Sequence, residues 1–375
     1  MTFSTELSHQ CGRLSPGRLC GNFYHHGFHP VHLGDVYNGR YEVLRKLGYG
    51  RYSTVWLVKD QRCCCYRVLK FLSTECYSGA EDIFELEILK HLRDSNSEHP
   101  GYRYIPTLVD SFEHVGPKGR HTCLVLEPMG ESLASFGTLF SKHQVPNPIM
   151  QRFTKQLLLA LDYAHQSGII HTDIQPRNIM IQITDFSIID DYLKATPADP
   201  AAYDSTSDSS TIVSQPLRDF YIRESSDLLT LNVALCDWGS ASWTDHHLTE
   251  VIQPGLLRAP EVIIGAPWGP TIDIWSIGAV LLEVLDAVRL FDGRVAQTGG
   301  VYKTKHHIEE MHGGIRDPIS RPEALLENWI ESLTGNDKEE FVNLLKSMMK
   351  IDPDGRKTAK QLLDEPWLQH TSLDI

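Results

Sequence analysis

Six polar side chains, spread along the chain in a fixed order, have the types and spacing that phosphoryl transfer to a hydroxyl requires. The run Ile170-His171-Thr172-Asp173-Ile174-Gln175-Pro176-Arg177-Asn178 places a carboxylate, Asp173, ahead of an amide, Asn178. The carboxylate can orient an acceptor hydroxyl and take its proton, and the amide oxygen can reach a metal ion that bridges phosphates. Asp237, which opens Asp237-Trp238-Gly239, offers a second hard-oxygen ligand for such an ion. Lys70, closing Arg67-Val68-Leu69-Lys70, is a cation suited to nucleotide α- and β-phosphates, and it needs a carboxylate to position it. The segment that follows offers Glu81, Glu85 and Glu87; Glu87 is the chosen partner and Glu85 the alternative. Gln175, inside the loop, is the sixth. Taken alone the loop could be an ordinary turn, since His, Asp and Asn all favour turns. The other groups, standing in the right order, favour chemistry.

Elements of suitable period surround these groups. Tyr41–Leu47 alternates as a strand, and Thr54–Lys59 forms the next one after Gly48-Tyr49-Gly50-Arg51-Tyr52-Ser53. Glycines at 48 and 50 let backbone amides approach phosphate oxygens without a side chain intervening, with Ser53 closing the turn. Leu47 and Val55 flank that turn, Val68 precedes Lys70 on a third strand, and Leu126-Glu127-Pro128-Met129 follows two further strands, about 105–113 and 122–127. Leu126 would back an adenine pocket, and Glu127 to Met129 would meet the base edge. Met180, just past the loop, completes the set assigned to the nucleotide. A helix over about 80–92 carries Ile83, Leu86, Leu89 and Leu92 on one face, and Ile149, Phe153, Leu157, Leu161 and Ala164 stripe a second helix leading to the loop. Ile272–Leu285 is apolar nearly all round and predicts a buried central helix, with Asp273 at its start capping it or bracing the loop. Later helices are expected over about 323–333 and 339–350. Arg356 is the expected ion-pair partner of Glu261.

These patterns give a flexible lead-in over 1–30, a β-rich unit over 31–127 and a helical unit over 128–375. An acidic Ser/Thr/Asp-rich insertion occupies about 184–228. Within it Phe186, Ile188, Ile189, Tyr192 and Leu193 form one face of a short amphipathic helix, 195–213 reads as mobile, and Leu217, Phe220 and Tyr221 can pack back on the body. The formal net charge of −13 argues against a nucleic-acid binder and suits a basic peptide partner. Eight cysteines include the run Cys63-Cys64-Cys65, poor disulfide partners as neighbours, which favours a reducing compartment. Cys236, next to Asp237, reads as a packed residue rather than a reactive thiol. The 18 histidines lack metal-ligand spacing. No signal segment or membrane span is visible, so the expected location is cytoplasm or nucleus.

On these motifs, with Arg258-Ala259-Pro260-Glu261 downstream, residues 41 to 369 resemble a eukaryotic-type protein kinase. More narrowly the chain is similar to the serine/arginine-rich protein kinases. The residues that carry this are Gly34-Asp35-Val36-Tyr37-Asn38-Gly39-Arg40-Tyr41, Lys46-Leu47-Gly48-Tyr49-Gly50 with Ser53-Thr54-Val55-Trp56-Leu57, His171-Thr172-Asp173 in place of His-Arg-Asp, Trp243, and an insertion before Asp237. The resemblance implies an α+β bilobal protein-kinase fold, with an antiparallel N-lobe sheet plus one helix and a mainly α-helical C-lobe. It implies ATP and Mg²⁺ as cofactors, with Asn178 and Asp237 as metal ligands. It also implies transfer to serines of Arg/Ser-rich proteins such as splicing factors, and an activation segment that works unphosphorylated, in keeping with Thr172. The expected partner is a basic protein substrate, with no direct nucleic acid, no membrane, and a monomeric chain.

Two departures stand out. The family has lysine where this chain has Gln175, a charge lost where the transferred group needs it most; Arg177 has the right sign. The family's acidic substrate groove corresponds here to 286–310, which mixes Asp286 and Asp292 with Arg289, Arg294, Lys303 and Lys305. Gln175 therefore keeps open a scaffold that binds nucleotide or partners with little transfer.

Overall fold

The computed structural model describes residues 27–77, 83–197, 217–222, 228–285 and 326–370. The expected helix start near 80, the 198–213 part of the insertion and the 286–310 stretch lie outside them. Its strands are β1 (Val36–Tyr37), β2 (Tyr41–Tyr49), β3 (Ser53–Asp60), β4 (Cys65–Leu72), β5 (Leu108–Gly116), β6 (Gly119–Leu126), β7 (Met129–Ser132), β8 (Ile169–Ile170), β9 (Ile179–Gln182), β10 (Val233–Leu235) and β11 (Ser242–Trp243). The helices used below are α1 (Glu85–Ser95), α2 (Asn147–Gln166), α3 (Ser187–Ala195), α4 (Arg218–Tyr221), α5 (Thr271–Leu285) and α6 (Gly335–Met348). The chain forms two compact units, one of residues 1–86, 107–130 and 183–223, the other of 87–106, 131–182 and 224–375.

The first unit is built on an antiparallel sheet in the order β1-β2-β3-β4-β6-β5. Its strand period of two sorts side chains onto two faces, and each face carries an apolar cluster. Tyr41, Val43, Trp56, Val58, Leu69, Phe71, Cys123 and Val125 form one core, with Val31 and Leu33 packed against it. On the opposite face Leu57 and Tyr66, with Leu44, receive Ile183, Ile188, Ile189 and Leu193 of the insertion, and Leu217, Phe220 and Tyr221 return to the same cluster. Polar ties fix this contact. Tyr66 donates its hydroxyl to Asp190, and buried Arg45 donates to the Thr196 carbonyl and, at 2.7 Å, to its hydroxyl while lying over the Tyr192 ring. At the β3–β4 turn Cys63 and Cys65 are joined by a disulfide, with Cys64 left a free, exposed thiol. This departs from the reduced reading of the run: pairing across one residue avoids the ring that direct neighbours cannot close without strain.

The second unit is helical. α2 runs from a proline-led start and buries Phe153, Leu157, Leu161 and Ala164 on its expected stripe. α5 is buried nearly all round, as its composition requires. Two short antiparallel pairs, β9 with β10 and β8 with β11, frame the loop between Ile170 and Ile179. The expected Glu261–Arg356 pair is present and bidentate at 2.6 and 2.7 Å, with both side chains buried.

Candidate active site

Within the first unit the nucleotide set falls on one face of the sheet. Register opposes Gly48 to Val55, Val55 to Lys70 and Val68 to Leu126, and directly opposed residues share a face. Leu47 sits half-exposed on β2 beside Gly48; Gly50 donates its N–H to the Ser53 carbonyl at 2.8 Å, closing the hairpin. Glu127 lies in the connection after β6, and Met129 opens β7.

Lys70 corrects one expectation. Its ammonium donates to Glu85 Oε1 at 2.7 Å, Glu85 being buried and Lys70 largely so, while Glu87 is exposed. The reason lies in the helical period. Glu85 is on the stripe with Ile88, Leu89 and Leu92, all buried, whereas Glu87 shares the face of exposed Lys90 and His91. The apolar face drawn through Ile83 and Leu86 was rotated from the buried one, and the 85-88-89-92 spacing is the signal that identifies Glu85.

The second unit assembles the other four groups. Asp173 accepts from Gln175 Nε2 at 3.0 Å on each carboxylate oxygen and from Asn178 Nδ2 at 2.8 Å. Asn178 also donates to the Asp173 carbonyl at 2.8 Å, so both protons of its amide are used and its oxygen is the group left to ligate. Burial pushes the Asp173 carboxyl above the usual carboxylate range; His171, Gln175 and Asn178 oppose this, and the nearby Asp237 carboxylate adds to it. Asp237 follows β10 in a left-handed conformation, φ 63°, which Asp tolerates better than most residues. The Cys236 amide donates to the Asn178 carbonyl at 2.7 Å, which brings Asp237 up to the loop; Met180 opposes Ala234 in the β9–β10 pair. The Cys236 thiol bonds Ala234 O at 3.7 Å.

Thr172 shows how the loop is held. Its φ of 66° is rare for a β-branched residue, a strain of about 1–3 kcal/mol that the surroundings must over-determine. They do so at every polar atom. The Thr172 amide donates to Asp273 Oδ1 at 3.0 Å, its hydroxyl to Ser240 O at 2.6 Å, and its carbonyl accepts from Gln253 N at 3.0 Å. Asp273, fully buried, also takes the His171 amide at 2.8 Å, which confirms the bracing role. His171 Nε2 meets the Cys236 carbonyl at 3.0 Å, and its ring stands edge-on to Trp238 at 4.7 Å. Trp238 is buried and donates its indole N–H to Leu235 O at 2.9 Å, a bond that phenylalanine could not make. The loop of the second unit therefore holds a fixed carboxylate, Asp173, with the oxygen-bearing side chains of Asn178 and Asp237 beside it.

Comparison with known proteins bears on that arrangement. The model of the protein kinase domain matches residues 41–206 and 222–368. A serine/threonine protein kinase of Aspergillus fumigatus is 32% identical over 366 residues, covering 91% of this chain and 87% of that protein. The serine/threonine-protein kinase SRPK of Physarum polycephalum is 32% identical over 303 residues, 76% of this chain and 69% of its own. SRSF protein kinase 3 of Homo sapiens is 39% identical over 160 residues, 42% of this chain and 28% of its own.

Proposed function

The chain belongs to the protein kinase family, in its SR protein kinase-like branch, and is a serine/threonine protein kinase; from this premise we propose that it transfers the γ-phosphate of ATP to serines of Arg/Ser-rich proteins in the cytoplasm or nucleus. The observation that carries the reading is the Asp173 carboxylate, gripped by Gln175 and Asn178 with Asp237 beside it.

The donor set fits Mg²⁺-bound ATP. Asn178 keeps a carbonyl oxygen available once both amide protons are engaged, and Asp237 adds a carboxylate; all-oxygen ligation suits a hard divalent cation. Bound Mg²⁺–ATP supplies the transferable group and offsets its charge. In this reading Lys70 holds phosphate oxygens and Glu85 keeps the ammonium in place. Asp173 orients the serine hydroxyl and accepts its proton. Gln175 keeps that carboxylate in one rotamer, doing by hydrogen bonds part of what the family's lysine does by charge. The printed name of the human relative, a kinase of SRSF proteins, supports the Arg/Ser-rich substrate class. The scaffold reading that Gln175 raised finds no support in relatives named as kinases. Among the described residues no helix is long and apolar enough to cross a membrane.

The test is radiolabelled phosphate transfer from ATP to an Arg/Ser-repeat peptide, with Asp173→Ala as control. Wild type should label the peptide while the variant falls to background. Equal signal from the two proteins would overturn the reading.

A further inference from the structure

Three adjoining cysteines at a solvent-facing turn are an unusual use of a residue type that is otherwise among the most buried. Cys76 and Cys123 follow the common pattern and lie in the core, whereas Cys63 and Cys64 are exposed and Cys65 is half-buried. Packing does not account for such a run, which leaves the chemistry of sulfur.

Backbone geometry gathers the groups. Cys64 takes a left-handed φ of 55°, and the chain turns so that Cys63 and Cys65 stand 5.3 Å apart at Cα. Cys65 opposes Asp60 across the β3–β4 ladder, so those two side chains share a face. An Asp60 carboxylate oxygen and the sulfurs of Cys63 and Cys65 all lie within 4.8 Å of one another. Two sulfurs on a tetrahedral Zn²⁺ are separated by about 3.8 Å, so small side-chain rotations close this set on an ion.

Asp60 is fully buried and already oriented. Its Oδ1 accepts from Arg40 Nε at 2.8 Å and from the Arg62 amide at 3.0 Å, and its Oδ2 from Arg40 Nη2 at 2.6 Å. These bonds leave Oδ2 a lone pair for a metal, and hydrogen bonds of this kind are what fix a ligating carboxylate. The Arg40 charge offsets that of Asp60, so the two thiolates and a divalent cation neutralise each other.

We propose that Cys63, Cys65 and Asp60 form a binding site for a thiophilic divalent cation of the Zn²⁺ class, open whenever the Cys63–Cys65 disulfide is reduced. Disulfide and metal exclude one another, because only thiolates ligate. Opening the site takes two electrons from a thiol reductant: the S–S bond breaks, Cys63 and Cys65 each gain a proton, and two reductant thiols join as their own disulfide. Binding of the cation then releases both protons. In a reducing compartment such as the one proposed above, paired cysteines are more often a metal site than a permanent crosslink.

The experiment uses the full chain, either reduced with dithiothreitol and desalted without oxygen, or oxidised. Zn²⁺ is titrated against a chromophoric zinc indicator, and Co²⁺ in its place reports thiolate ligation by a charge-transfer band in the near ultraviolet. The reduced chain should take up Zn²⁺ and show the Co²⁺ band, and the oxidised chain should do neither. Cys63→Ser or Cys65→Ser should weaken Zn²⁺ binding about a hundredfold and abolish the band, Asp60→Asn should weaken binding about tenfold with the band kept, and Cys64→Ser should change neither. The serine variants alter exposed or half-buried side chains, so the reduced, metal-free proteins should keep the wild-type Tm, which a thermal melt checks in parallel. No Zn²⁺ uptake by the reduced chain would overturn the proposal. So would uptake that survives Cys63→Ser, which would move the metal to another set such as Asp337, Glu340 and His370, whose ligand atoms also lie within 4.8 Å of one another. Phosphate transfer is not the readout, so neither result touches the kinase reading.

Discussion

At the scale of single residues, Lys70 and Gln175 decide how the chemistry is supported. Glu85→Gln should lower kcat/KM by about a hundredfold, because it removes the charge partner of a largely covered ammonium. Glu87→Gln should stay within about twofold, since a surface carboxylate contributes little. Steady-state kinetics on the same peptide measures both, and the reverse order would restore Glu87 as the partner. Gln175→Lys should raise kcat by about tenfold or more, because it places a charge beside Asp173 where a neutral amide now donates. An unchanged or lower kcat under saturating ATP would mean that the amide's grip on Asp173 is the feature that matters. Order and spacing single out Asp173, Asn178, Asp237 and Lys70 as the candidate groups at this scale. Choosing between two glutamates two positions apart was not legible, because it depends on the phase of the helix, and the apolar residues Ile83 and Leu86 pointed to a phase one step off.

At the scale of elements, the stretch before β1 has a measurable pH response. His29 contacts Tyr37, His114, His121 and Phe71, and its Nε2 bonds the Tyr37 hydroxyl, which donates to Asp35. Burial, then the neighbouring His114 and His121, pushes the His29 pKa down to about 4; Asp35 opposes this and His32 adds to it. The folded value lies below the unfolded one, so the unfolded chain binds more protons between the two. Stability contributed by neutral His29 is therefore complete above about 6.5 and is lost as pH falls toward 4. Melting temperature recorded across that window should fall with pH, and His29→Phe should flatten the slope. An identical slope in the variant would assign the effect to other groups. None of this could be read from a Gly- and His-rich lead-in, where nothing in the pattern indicates which histidine is covered. The insertion behaved differently. Its apolar side chains announced a helix, but the sheet face that receives it did not, since Leu44, Leu57 and Tyr66 occupy alternate strand positions that look the same whether covered or wet.

At the scale of the whole molecule, motif order pointed to the family, and the family resemblance implied the fold class, with the change of period from two to 3.6 in keeping with it. The insertion has a consequence for engineering. Helices α3 and α4 share one apolar cluster, with the Tyr192 and Phe220 rings 5.7 Å apart, so both stems of the excursion are anchored beside each other. A short Gly-Ser connector in place of 198–216 should therefore leave peptide kcat/KM and Tm within error of wild type, since loop closure grows costly only slowly with length. A large loss of either would show that the removed residues support the body directly. If the stems hold, the same point is a natural port: a reporter or affinity module grafted there would ride on the kinase without pulling apart the scaffold that carries it.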